Sequence, residues 1–151
     1  MRTVDTTLVA AAPERVFTVA ADVAAWPDIL PHYRRVRFLE RHAHGGLVAM
    51  SAYRYFGPLG WPTWWVSEMD VQSARQEVHY RHVRGITRGM NVVWRVTPED
   101  RGSRIEIVHE WTGPPWPLIG RFAARAVIGP VFIHHIASRT LAGVKRHVES
   151  A

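Results

Sequence analysis

Residues 13–33, Pro13-Glu14-Arg15-Val16-Phe17-Thr18-Val19-Ala20-Ala21-Asp22-Val23-Ala24-Ala25-Trp26-Pro27-Asp28-Ile29-Leu30-Pro31-His32-Tyr33, decide how the chain folds. Pro13 suits the first helical position, where an N–H has no partner to lose. Glu14 beside it favours the positive end of the helix dipole. Val16, Phe17, Ala20 and Val23 recur at helical spacing and give the helix one apolar face. Pro27 and Pro31 then prevent a long second helix. The product is a short amphipathic helix running into a turn that presents Trp26, Leu30 and Tyr33. Upstream, residues 2–11 alternate as a strand, with Val4, Thr6, Leu8 and Ala10 on one face and Thr3, Asp5, Thr7 and Val9 on the other. A strand, a helix and a proline-broken aromatic turn within 40 residues would build the lid of a closed pocket.

Outward from this segment the chain reads as strands. They fall at about 35–43, 47–56, 63–72, 76–84, 87–97 and 103–112. His44-Gly45-Gly46 supplies a turn that needs positive φ. Gly57-Pro58-Leu59-Gly60-Trp61-Pro62 reads as a loop, and Pro98-Glu99-Asp100-Arg101-Gly102 as a hairpin turn. In the later strands Val78, Tyr80 and His82 oppose Glu77, His79 and Arg81. Met90, Val92, Trp94 and Val96 oppose Thr87, Asn91, Arg95 and Thr97, and Ile105, Ile107, His109 and Trp111 oppose Arg104, Glu106, Val108 and Glu110. A period of two with one wet face predicts an antiparallel sheet covered on one side. Gly113-Pro114-Pro115-Trp116-Pro117 reads as a rigid linker. The cover follows it at about 118–149, where Leu118, Phe122, Ala126, Val127, Phe132, Ile136, Leu141, Val144 and Val148 form an apolar stripe that Gly129-Pro130 should kink. A helix of roughly 30 residues reaches about 45 Å, enough to lie across a curved sheet.

The opening segment also resembles a known signature. Ala12-Pro13-Glu14-Arg15-Val16-Phe17, Ala21-Asp22-Val23, Trp26-Pro27 and Leu30-Pro31-His32-Tyr33 look like the N-terminal motif of the START-like, helix-grip superfamily. More narrowly they resemble its polyketide cyclase/dehydrase and coenzyme Q-binding branch. The sharp motif covers about the first quarter of the chain, and the order of strands and helices extends the likeness over the rest. The resemblance implies one α+β helix-grip domain over 1–151, a seven-stranded antiparallel sheet wrapped around a long C-terminal helix with two short helices after the first strand. It implies an internal cavity for a hydrophobic aromatic or polyketide molecule, with aldol cyclisation and dehydration as the activity. The alternative is a non-catalytic carrier of a quinone or lipid. In single-domain aromatase/cyclases of the family a Ser-Glu-Arg-like run lies on the Trp-rich strand, its arginine placed in ring closure. The similar run here is Val66-Ser67-Glu68-Met69, so Met69 stands where that arginine would be.

Composition sets outer bounds. The chain has 151 residues, 47% of them hydrophobic and 21% charged, which is ordinary for one globular domain. It has no cysteine, which excludes disulfides, thiolate chemistry and cysteine metal sites. Met1-Arg2-Thr3-Val4-Asp5 is no signal peptide and no apolar run reaches a membrane span, so a cytoplasmic protein is expected. The net charge of +6 comes from eighteen arginines and Lys145 against the acids, a bias that fits a GC-rich bacterial genome. Charge of this sign attracts acidic partners. The basic residues are scattered except at Tyr33-Arg34-Arg35-Val36-Arg37, a solvated strand edge or a docking spot for an acidic acyl carrier protein or an anionic ligand head. Without an aromatic-basic platform, nucleic acid is not expected.

The inward residues set the chemistry. Trp26, Leu30, Tyr33, Trp65, Ser67, Met69, Met90, Trp94 and Trp111 are the expected ligand-binding set, because aromatic walls favour stacked rings. The candidate catalytic groups are His82, His109, Tyr80 and Arg54. A near-neutral histidine moves protons in enolisation or dehydration, although a lone inward histidine also serves as a hydrogen-bonded wall residue. Arg54 would steady an enolate or carboxylate if it, and not Tyr53 or Tyr55, faces inward. No Gly-x-Ser-x-Gly, P-loop or Gly-x-Gly-x-x-Gly occurs. His134 and His135 diverge on a helix, His42 and His44 flank a turn, and no metal or other cofactor is expected.

Overall fold

Alternating strands followed by one amphipathic helix produce a single sheet with a helical cover. The computed structural model describes residues 1–56, 58–114, 117, 122 and 131–151. Strand β1 spans Arg2–Val9, helix α1 Pro13–Ala21 and helix α2 Trp26–Ile29, with a 3₁₀ turn at Val23–Ala25 between the helices. Strands β2 (Tyr33–His42), β3 (Gly45–Phe56), β4 (Leu59–Gln72), β5 (Glu77–Gly85), β6 (Asn91–Glu99) and β7 (Gly102–Glu110) follow. Helix α3 spans His134–Ser150, entered through a π-helical turn at 131–133. The sheet order is β1-β7-β6-β5-β4-β3-β2 and every pairing is antiparallel. This is the α+β helix-grip architecture expected from the sequence.

The core lies between the concave face of the sheet and the helices. Val16, Phe17 and Ala20 of α1 join Val78, Trp94, Val96, Ile105 and Ile107 of the sheet. α3 adds Ala137, Leu141, Val144 and Val148. The outer face is wet and carries an ion-pair ladder, Arg95 holding Glu77 at 2.7 Å and Glu106 at 3.1 Å. On β1 the inward side is polar, with Asp5 and Val9 buried while Val4 and Leu8 stay exposed. Asp5 accepts a hydrogen bond from the His134 Nδ1, which fastens the start of α3 to the sheet edge.

Two sequence expectations change. Leu59–Pro62 is strand, not loop, since β3 and β4 pair from Phe56↔Leu59 onward. Pro62 is tolerated because β5 joins β4 only from Trp65, so its missing N–H costs no ladder bond there. β6 begins at Asn91, not residue 87. Gly85 and Gly89 take φ of +100° and +87°, closing a turn over 86–89 that the Arg88 N–H to Gly85 C=O bond ties at 3.1 Å. A side chain at Gly85 would also put Cβ 2.6 Å from the Trp64 carbonyl oxygen, so only glycine fits. Residues 115 and 116 of the expected linker, most of the helical stripe before Val131 and the Gly129-Pro130 kink lie outside the described residues.

Candidate functional site

Curvature leaves the middle of the sheet out of reach of α3, and a cavity of about 70 Å³ remains there. Trp26 and Tyr33 from the α2 turn, with Trp65 and Trp94 from the sheet, form its aromatic wall. These rings touch in sequence. Trp26 lies 5.1 Å from Trp94 and 5.0 Å from Tyr33 between centroids, and Tyr33 meets Trp65 edge-on at 6.1 Å. Trp65 stacks on His82 at 5.8 Å with 12° between planes. Met50, Met90, Val92 and Ile107 supply aliphatic wall, and α3 contributes Phe132, Ile133, Ile136, Ala137 and Thr140. The tryptophans occupy much of the hollow. An engineered cavity that accepts benzene measures about 150 Å³ and ligand sites about 300–1,000 Å³, so anything larger than a small fragment must spread the walls.

The polar groups sit on adjacent strands. Tyr80 on β5 and His109 on β7 flank Val92 of β6 in one row across the sheet. His82 lies one pleat further along β5, opposite Ser67 of β4. Burial holds the His82 imidazole down to a pKa of about 3, with nearby His109 adding to the effect. Burial alone takes His109 to about 4. Both rings are therefore neutral at pH 7. The Tyr80 phenol is pushed well up by burial and then by Tyr33. Among the described residues, Tyr80 Oη, His109 Nδ1 and Ser67 Oγ are buried and find no hydrogen-bond partner. Each such atom costs about 1–3 kcal/mol relative to a satisfied one, so a ligand that supplies a donor or acceptor to Tyr80 or His109, the two that line the cavity, recovers that amount.

His82 is positioned by the turn that follows it. Its Nδ1 shares a 2.7 Å hydrogen bond with the Thr87 hydroxyl, and its backbone bonds Met90 O at 2.9 Å and Gly89 N at 2.8 Å. The Trp111 indole N–H donates to Arg88 O at 2.9 Å and clamps that turn from behind. Sequence reasoning missed Thr87 by placing it on the wet face of a strand. It also passed over His32 as a buried polar group. Thr140 donates to Ile136 O at 2.7 Å, so its oxygen accepts from the His32 Nε2–H at 2.8 Å. That bond joins the lid to α3, and burial lowers His32 to about 4.

Eight of the thirteen expected site residues line the cavity: Trp26, Tyr33, Trp65, Tyr80, His82, Met90, Trp94 and His109. Five stand behind it. Leu30 is buried against α3 at Gly143. Ser67 and Met69 are buried on β4, across from His82 and Tyr80. Trp111 serves the turn. Of Tyr53, Arg54 and Tyr55, Arg54 is the buried one, and its guanidinium lies over the Phe132 ring at 4.6 Å. Among the described residues no three His, Asp or Glu converge as a metal site, and no helix is long and apolar enough to cross a membrane.

Comparison with known proteins agrees with this geometry. The fold overlays a crystal structure of the TTHA0849 protein from Thermus thermophilus with a TM-score of 0.80 at 16% identity, covering 99% of this chain and 98% of that one. An aromatase/cyclase from a Streptomyces species, Zhui, gives 0.79 at 23% identity, with 99% and 93% covered. The di-domain aromatase/cyclase StfQ, of the steffimycin biosynthetic pathway, gives 0.75 at 20% identity, and this chain matches half of it, 99% against 50%. At these identities the likeness establishes the fold. No functionally curated protein matches the sequence. Residues 9–131 fit the sequence profile of one family, and the chain belongs to it: polyketide cyclase/dehydrase and lipid transport.

Proposed function

We propose that the protein binds a flat hydrophobic molecule of polyketide type and promotes its aldol closure and loss of water. The observation that carries this reading is the placement of Tyr80, His82 and His109 on an otherwise apolar, ring-lined cavity, two of the three with a buried polar atom left unpaired. The rings of Trp26, Trp65 and Trp94 would stack on the ligand and hold its chain folded. Tyr80 would donate to the carbonyl oxygen that gains charge on enolisation. The neutral His82, steadied by Thr87, would take the α-proton; the enolate formed beside it favours the imidazolium. The His82 imidazolium would return that proton to the alkoxide formed on ring closure, and a second round would carry an α-proton to the departing hydroxyl, while His109 would hydrogen-bond the ligand through its unpaired Nδ1. An acidic acyl carrier protein is the delivery partner this reading implies, facing exposed Arg34, Arg35 and Arg37.

A second reading, a non-catalytic carrier of a quinone or lipid, is favoured by two observations. Met69 replaces the arginine of the related motif, and Arg54 stands outside the cavity wall. A linear poly-β-ketone thioester separates the two. Ring-closed, dehydrated product from the intact protein, reduced about tenfold or more in Tyr80→Phe and His82→Ala, supports catalysis. Tight binding with no conversion supports the carrier.

A further inference from the structure

The β3–β4 hairpin ends in a tip that the cavity chemistry does not use. From Ser51 to Ser67 the sequence carries Tyr53, Tyr55, Phe56, Trp61, Trp64 and Trp65, a single cation in Arg54, and no acid. Leu59, Trp61 and Trp64 are 73%, 66% and 58% exposed. Their directions differ. Trp61 pairs with buried Arg54, so Leu59 and Trp61 project from the concave face. Trp64, one step out of phase with buried Trp65, projects from the outer face. Exposed apolar surface of this kind marks an interaction site. A protein partner docking flat would cover one side of a two-stranded tip; a medium that surrounds the tip covers both.

Behind the tip lies a collar of arginines. The Arg34 guanidinium sits 4.8 Å over the Tyr53 ring, and Arg139 sits 4.9 Å over Tyr55. Arg35 and Arg37 share a shallow groove with Trp64. Arg84 faces Val66 across the β4–β5 pair. Aromatic residues at the boundary with cations behind them match the interface of a bilayer, where rings settle at headgroup depth and arginines meet phosphates.

We propose that this tip docks the protein on an anionic lipid surface, with Leu59, Trp61 and Trp64 entering the headgroup–acyl boundary and Arg34, Arg35, Arg37 and Arg139 facing the headgroup phosphates. The proposal is independent of what the cavity holds. It is tested by co-sedimentation of the intact chain with phosphatidylcholine vesicles, with and without phosphatidylglycerol. The expected result is partition onto the anionic vesicles, weakened by salt. Leu59→Ser combined with Trp61→Ser lowers that partition by about tenfold or more, and Arg35→Glu with Arg37→Glu removes the preference for the anionic lipid. All four positions are on the surface, so the melting temperature stays as in the parent, and the Leu59/Trp61 variant also converts a dissolved ligand as the parent does. No partition onto anionic vesicles overturns the proposal, as does a Leu59/Trp61 variant that partitions like the parent. Binding of an acidic carrier protein through Arg35 and Arg37 without vesicle binding also overturns it and assigns the arginines to a protein partner.

Discussion

Tyr80 carries a hydroxyl buried without a partner, and this gives its removal an unusual sign. Tyr80→Phe keeps the ring and deletes the unsatisfied group. The free protein should be unchanged or up to about 1 kcal/mol more stable in urea, while a ligand bearing a carbonyl binds about fivefold more weakly by titration. A loss of stability in the free variant would show that the hydroxyl is already satisfied. The histidines give a second test at this scale. His82 and His109 are lowered from 6.5 to about 3 and about 4 by burial. Above pH 6.5 both folded and unfolded chains hold them neutral and they contribute nothing to pH dependence. Below it the unfolded chain binds protons that the folded chain refuses, so stability falls as pH drops from 6.5 toward 4 and 3. The loss should reach about 2 kcal/mol for each histidine at pH 5. Urea midpoints across that range measure it, and His82→Gln should flatten the slope. Tyr80, His82 and Trp94 were legible in the sequence because strict alternation assigns each a face. Thr87 was not, because its role arises from a glycine-closed turn that folds its hydroxyl back five residues onto His82. Asp5 was not legible either. Alternation gave β1 two possible faces, and the inward one is the more polar.

The element scale turns on how the lid seats against α3. Leu30 is fully buried, and a Cβ on Gly143 would lie 2.3 Å from its Cδ2. The lid therefore packs into a notch that glycine leaves in the helix. Gly→Ala inside a helix ordinarily gains about 0.5–1 kcal/mol. Here Gly143→Ala should instead cost a net 1–2 kcal/mol, about the penalty of overpacking a well-filled core. Leu30→Ala in the same background should recover part of it, with a coupling of about 1 kcal/mol or more in the double-mutant cycle. Additive effects would mean that the lid and helix do not meet at this point. Pro13, Pro27 and Pro31 made both lid helices legible, since each proline fixes where a helix starts or stops. Residues 59–62 misled for the same reason. Their glycine and proline signal a loop, whereas pairing with β3 alone leaves Pro62 at a position that needs no donor. Leu30 was legible as apolar, but its partner was not. Glycine in a helix reads as weakness until the packing across from it is known.

At the scale of the whole molecule, the cavity is smaller than the ligands its lining suits. The space of about 70 Å³ is bounded by Trp26, Tyr33, Trp65 and Trp94, whose own rings fill the gap between sheet and helix. The sequence made the aromatic lining legible through seven tryptophans and the inward alternation. It could not show how those rings divide the space, because that depends on side-chain packing and on the curvature of the sheet. The same aromatic contacts that would hold a ligand thus hold the fold closed without one. Binding must exchange ring–ring contacts within the protein for ring–ligand contacts, and affinity is limited by the work of parting the lid from α3. This makes a direct prediction. Trp94 is buried and touches Trp26 at 5.1 Å. Trp94→Ala should destabilise the protein by about 3–5 kcal/mol through lost contacts and an added void. Indole, shaped like the missing side chain, should then bind the void and raise the melting temperature of the variant, while leaving the parent protein unchanged at the same concentration. Equal stabilisation of both proteins would mean that the parent already opens a ring-sized space at little cost, and that lid parting does not limit binding. Stabilisation of neither would mean that the lid collapses onto the void, so that the aromatic wall holds the cavity open rather than filling it.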